Sequence, residues 1–513
     1  MSKLTYFCDL AEPTTPFPHF WEHTVGSDHA RMALRADWQQ QLKRAHDELG
    51  FRHVRFHDLL SDDLGTVVRD DNELHYSFFN SDQIFDYLLS IGMRPFVELS
   101  FMPAALASGT RTVFSYQANV TPPKDYKEWA RLIERLVSHW VQRYGEQDWL
   151  FEVWNEPNLK NFWTGTQREC FKLYRYTAEA IKKVSPSLKV GGPATARSEW
   201  IEEFVSFCER NDVPADFVST HYYPNDGFEE DSDTELQLFK SQRGIMREVA
   251  QNTRYYAGDR PVYYTEWNSS SNPWDPLHDE PYAAAFAAST VMEANGLVDG
   301  YSFWTFSDIF EENYFPSRPF HGGFGLLTLH GIPKPSYRAF ELLHQLGDRQ
   351  SLVDGLHDTV DCSVVQKESS VTALVTNHTT PGHSIETEEI HLRLDNAAEP
   401  VAAFIQRIDE DHGNAKRLWR EMGQPEYLTH KQVERLQEAS EVSTEKLAVS
   451  FHDGTVFLKA GIPAHAVAAI TVEFKDITVG AALRGRPSLA SESGDQRAAT
   501  EGRPYSPTRE ASK

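Results

Sequence analysis

The chain has 513 residues, 40% apolar and 24% charged, which is a globular balance with material for a large core. Its formal net charge of −25 excludes the basic face that binding to nucleic acid or anionic membrane requires. The length fits two or three ordinary domains, or one large α/β barrel with an appendage. Eight strand-like runs follow one another at 19–25, 51–57, 94–100, 150–156, 189–194, 217–223, 261–267 and 301–306. Amphipathic helical stretches separate them. In 125–144, Trp129, Leu132, Ile133, Leu136, Val137 and Trp140 recur at helical spacing, and 170–184 is a second such stretch, closed by Ser185-Pro186. This alternation predicts a parallel α/β sheet, and eight repeats predict a closed (β/α)8 barrel over 15–345.

Beyond residue 345 the texture changes. Period-2 runs at 352–365, 371–377, 390–394, 401–408, 447–451, 456–458 and 466–474 predict a C-terminal β-sandwich over 346–479, with a polar helical insert near 414–439. Residues 1–14, around Tyr6, are expected to lend that sandwich a strand. Residues 480–513 contain no Val, Ile, Phe or Trp and are expected to be disordered. The acidic run 229–233 reads as a solvated loop face. The amino terminus has no apolar leader, and no apolar run is long enough to span a bilayer. Cys8, Cys170, Cys208 and Cys362 lie far apart without metal-binding or paired spacing. The expectation is a cytoplasmic protein with reduced thiols.

Two segments carry chemistry: FEVWNEPN, with Glu156 at the end of the fourth strand, and VYYTEWN, with Glu266 at the end of the seventh. The carboxyl ends of barrel strands form one face, where reactive groups converge. Two carboxylates facing each other there supply the acid and the ionised partner that glycoside hydrolysis needs. The plainer reading is two structural carboxylates in salt bridges; Trp154-Asn155-Glu156-Pro157 as a string is more specific than that. His53 and His57 superficially suggest a metal pair, but beside Arg52 and Arg55 they read as hydrogen-bonded histidines. The serine run at 269–271 lacks the G-x-S-x-G elbow, so no serine nucleophile is expected.

These strings jointly resemble glycoside hydrolase family 39, the β-xylosidase family among the retaining β/α-barrel glycosidases. The resemblance rests on Val25-Gly26-Ser27, Arg55-Phe56-His57, NVTPPKDY from Asn119, FEVWNEPNLKNFW, His221-Tyr222-Tyr223-Pro224, YYTEWNSS and FWTFSDIFEE, in order, from about residue 15 to 475. It implies Glu156 as general acid/base and Glu266 as nucleophile. It implies that Asn155 binds the sugar 2-hydroxyl and that His221 and Tyr223 flank the nucleophile. His57 would reach a sugar hydroxyl, Trp304 would underlie the ring, and Glu311 or Glu312 would bind remote hydroxyls. Phe114 and Trp163 would line the pocket. No metal and no cofactor is implied. The implied partner is a small oligosaccharide, with a homo-tetramer among the implied assemblies, meeting through the sandwich and the insert. Rival readings are an α-L-iduronidase or α-L-arabinosidase specificity and a non-catalytic carbohydrate-binding protein. An iduronidase needs a basic residue in the pocket, and the motif segments offer mainly Lys160.

Overall fold

Apolar runs such as PFVEL bury both faces, as strands of a parallel sheet sheathed in helices do. A computed structural model describes residues 4–71, 73–228 and 233–475. The expected tail and most of the acidic run 229–233 lie outside those residues. Eight strands form the barrel: β1 (Thr24–His29), β2 (His53–His57), β3 (Arg94–Leu99), β4 (Leu150–Val153), β5 (Lys189–Thr195), β6 (Phe217–His221), β7 (Val262–Trp267) and β8 (Gly300–Phe303). They pair in chain order, and the parallel contact of Phe303 with Val25 closes the ring. The fold is the expected (β/α)8 barrel.

The first strand lies later than the pattern 19–25 suggests. His19 stands at φ 50°, ψ 48° and opens a 3-10 turn over Phe20–Glu22, so the strand starts only at Thr24. Polar residues hid it. Ser27 is buried because its hydroxyl accepts from Trp38 Nε1 at 2.8 Å. The helix expected from 170 begins at Gln167, because Thr166 and Glu169 form a reciprocal capping box ahead of the first apolar residue. The helix Tyr126–Tyr144 is capped by Asp125, which accepts from Lys127 N.

After the barrel, two antiparallel-rich sheets pack face to face. Strand Ala466–Phe474 lies between Ser370–Asn377 and Pro400–Ile408 in the seven-stranded sheet. Its Ala468, Ile470 and Val472 meet Ile390, Leu392 and Leu458 of the four-stranded sheet, while Val467 and Ala469 turn toward the barrel core. The strand is therefore apolar on both faces. Leu4–Asp9 pairs in parallel with Glu388–Asp395 and buries Tyr6 and Cys8 between the sheets. Helices Ala415–Glu421 and His430–Ala439 press Trp419 and Leu436 onto Phe320 and Ile332, so their apolar face is covered by their own barrel. Among the described residues no helix is long and apolar enough to cross a membrane.

Candidate active site

Strand β4 stops at Val153 because the chain then leaves extended geometry. Trp154 and Glu156 adopt φ of 72° and 43°, and Glu156 N donates to Ala194 O at 2.7 Å. Left-handed backbone at non-glycine residues costs on the order of 1–3 kcal/mol each and persists where surrounding contacts enforce it. The kink turns Trp154 into the core, where its Nε1 donates to Phe162 O, and swings Glu156 over the barrel mouth. Glu266 enters the same space from β7. One oxygen of Glu156, one oxygen of Glu266 and a nitrogen of His221 all lie within 4.8 Å of one another.

Beneath them sits a buried charge cluster. Register places Glu98 of β3 directly beside Glu152 of β4, an arrangement that is repulsive on its own. Arg55 of β2 resolves it. Its guanidinium reaches Glu152 at 2.6 Å, Glu98 at 2.8 Å, Glu266 Oε1 at 2.8 Å and Asn155 Oδ1 at 2.9 Å. Burial opposes this charge, but the surrounding carboxylates outweigh burial and hold Arg55 above its ordinary range. Burial likewise opposes the charge of Glu98, yet Arg55 and His57 hold its carboxyl below the usual range. Removing one partner of such a group strands the others in low dielectric. Arg55→Met should destabilise the fold by about 3–5 kcal/mol, read as a lowered urea midpoint. A midpoint within error of wild type would contradict this account.

Glu156 has no such cation against it. Burial pushes its carboxyl up to about 7, despite the nearby charges of His57, Arg55 and Arg197. Its contact is His221 Nδ1, at 3.0 Å. The neighbouring bonds assign the protons. Thr265 Oγ1 donates to Glu152 at 2.7 Å, so it accepts from His221 Nε2 at 3.1 Å. Burial pushes His221 down to about 4, so the ring is neutral and Nδ1 carries a lone pair. That contact therefore needs a protonated Glu156 as donor. Glu266 is set up oppositely. Arg55 donates to Oε1, and the Tyr223 hydroxyl donates to Oε2 at 3.0 Å, which is the pattern a carboxylate anion makes.

The two acids open on a cavity of 280 Å³, also lined by His57, Phe114, Asn155, Tyr223, Trp304 and Glu312. Trp304 owes its place to Gly26, where a Cβ would meet its ring at 2.5 Å. His57 holds Glu98 through Nδ1 at 2.8 Å and approaches Glu312 through Nε2 at 3.4 Å. His221 lies buried behind Glu156. Two expected residues are elsewhere. Glu311 turns away to His29 Nε2 at 3.3 Å, leaving Glu312 to face the cavity. Trp163 packs on Trp154 in the core, its Nε1 donating to Thr166 O, and its neighbour Phe162 lines the cavity instead. Sequence reasoning missed Arg55 as a hub, together with Glu98 and Glu152. The available signal was an ionisable residue in mid-strand within an apolar run. It also missed Arg197 and Asp226 on the cavity wall, where the basic residue is Arg197 and not Lys160.

The sequence model described as glycosyl hydrolases family 39 matches residues 7–456. A protein of Caldicellulosiruptor saccharolyticus named β-xylosidase is 50% identical over 464 residues, covering 88% of this chain and 95% of that relative. A β-xylosidase of Geobacillus stearothermophilus is 39% identical, covering 89% and 93%. The solved GH39 β-xylosidase of Caulobacter crescentus superposes with a TM-score of 0.77 at 33% identity, covering 91% of this chain and 99% of that one.

Proposed function

The chain belongs to glycosyl hydrolases family 39, and from that premise we propose that it is a retaining, exo-acting β-xylosidase that releases xylose from short β-1,4-xylo-oligosaccharides. The observation that carries the reading is the pair of carboxyls with oxygens within 4.8 Å over one cavity, Glu266 held by donors from Arg55 and Tyr223 and Glu156 raised by burial. Retaining glycosidases hold their two carboxyl groups about 5–5.5 Å apart, and inverting ones roughly 6.5–9.5 Å. Identities of 50% and 39% to proteins named β-xylosidase support the sugar. A cavity of 280 Å³ stands at the small end of ligand pockets, roughly 300 Å³ and upward, which supports a short substrate.

In this scheme Glu266 attacks the anomeric carbon as the glycosidic C–O bond breaks, and Glu156 gives its proton to the departing oxygen. Glu156 then takes a proton from water. That water attacks the anomeric carbon, the bond to Glu266 breaks, and the configuration is retained. Arg55 occupies the Asn155 carbonyl, so the Asn155 amide N–H is available to the 2-hydroxyl. Trp304 lies under the ring, while His57 and Glu312 take the remaining hydroxyls. The two carboxyls carry both steps, so the scheme calls on no metal or cofactor. Four unpaired cysteines support a reducing compartment, the cytoplasm.

The test is a panel of nitrophenyl glycosides (β-xyloside, α-arabinoside, β-glucoside, α-iduronide), followed by proton NMR of the first product. The β-xyloside should turn over fastest and give β-xylose before mutarotation. A preference for the iduronide, or α-xylose as first product, would overturn the reading.

A further inference from the structure

A general acid protonates a leaving oxygen only from the leaving group's side, so the departing sugar lies on the Glu156 side of the cavity, away from Glu266. That wall is built, and the roles above leave it unused. Leu159 and Phe162 follow β4, Arg197 follows β5 and Asp226 follows β6, all on the cavity. The Phe162 ring is fixed against Phe114, with centroids 5.4 Å apart, and stacks with Phe101 at 6.4 Å.

The segment carrying Arg197 is unusually strained. Ala194, Arg197, Ser198 and Trp200 all have φ between 52° and 63° without being glycine. Such backbone survives only where contacts over-determine it, and it concentrates at functional sites. The contacts come from the turn that carries the acid. Asn158 accepts from Ala196 N at 2.9 Å and donates to Ala196 O at 3.0 Å, and Ala194 O holds Glu156 N. Ser198 Oγ meets the Tyr264 hydroxyl at 2.9 Å. Asn158, a residue of the Asn-Glu-Pro-Asn string with no role in the scheme, thus ties Arg197 to Glu156. Across from it, Asp226 is buried, with Oδ2 accepting from Tyr223 N at 2.8 Å. Burial pushes its carboxyl up to about 8, so it can donate as well as accept.

We propose that Arg197 and Asp226, above an apolar floor of Leu159 and Phe162, form the subsite for the leaving sugar, a neutral pyranose such as the second unit of xylobiose, and that Asn158 positions Arg197 for it. This rests on the β-xylosidase reading. A xylosyl leaving group has equatorial hydroxyls for the guanidinium fork and the carboxyl, and C–H faces for the floor. A nitrophenyl leaving group offers only the second kind of contact.

The experiment compares xylobiose with nitrophenyl β-xyloside in Arg197→Met, Asp226→Ala and Asn158→Ala. In the first two, kcat/KM on xylobiose should fall at least tenfold further than on the aryl substrate, mainly through KM. Asn158→Ala should show the same skew, smaller, and Arg197→Lys should recover part of it. Phe162→Ala should weaken both substrates alike. Equal proportional losses in Arg197→Met and Asp226→Ala, or none, would overturn the subsite; Arg197→Lys decides in the same way should Arg197→Met fail to fold. Failure of the wild type on the aryl xyloside would instead remove the β-xylosidase reading, a separate outcome.

Discussion

Glu266→Ala should abolish turnover of aryl β-xylosides, by on the order of 10⁴-fold or more, and added azide should restore it with an inverted product. The variant removes the attacking oxygen and leaves a carboxyl-sized void. Around that void Arg55 Nη1 and the Tyr223 hydroxyl still point at the place where an anion sat. A small anion is drawn into such a site by a buried cation and an oriented donor. Azide bound there faces the anomeric carbon from the side Glu266 occupied, so its attack gives α-xylosyl azide, which NMR identifies. The second step, hydrolysis of the glycosyl-enzyme, no longer exists. Glu266→Gln makes the contrast. It fills the void with a neutral isostere, so azide should do little. Wild-type-like rates in Glu266→Ala, or rescue through a β-azide, would remove Glu266 from the nucleophile's place.

The barrel was legible because its strands are nearly continuous apolar runs and its helices carry a clear 3.6 period. The acid pair was legible because each carboxyl ends such a run. Adjacency was not. Glu98 and Glu152 become neighbours only through register, and nothing in the order of residues says that one arginine on β2 must serve both. Loop geometry was also out of reach. Left-handed backbone at Trp154 and Glu156 leads into the loop where Phe162, not Trp163, meets the cavity, and one step of chain separates Glu311 from Glu312. Arg197 escaped notice for the same reason, since its place depends on a strained turn that no pattern announces.

Glu156→Ala should cost far more with poor leaving groups than with activated ones. Proton donation contributes about 10²–10⁴-fold where the departing oxygen is basic. Xylobiose should lose that much, and dinitrophenyl β-xyloside, whose phenolate departs unaided, much less in the first step. Deglycosylation loses its base in both cases, so azide should speed the dinitrophenyl reaction of this variant and yield β-xylosyl azide, the opposite anomer to that of Glu266→Ala. The pH profile carries the same signature. Burial pushes Glu156 up to about 7, so the acid form is present below that pH and disappears above it. For xylobiose, kcat/KM in the wild type should therefore fall as pH rises through about 7, and that limb should be absent from Glu156→Ala. The neutral His221 beside it reinforces the sign, since its Nδ1 lone pair accepts from the protonated carboxyl and repels the ionised one. Replacing that acceptor in His221→Phe removes both the bond and the repulsion, and the limb should move. Equal losses on the two substrates, together with an unchanged alkaline limb in Glu156→Ala, would make Glu156 a structural carboxyl and leave the leaving oxygen to another donor.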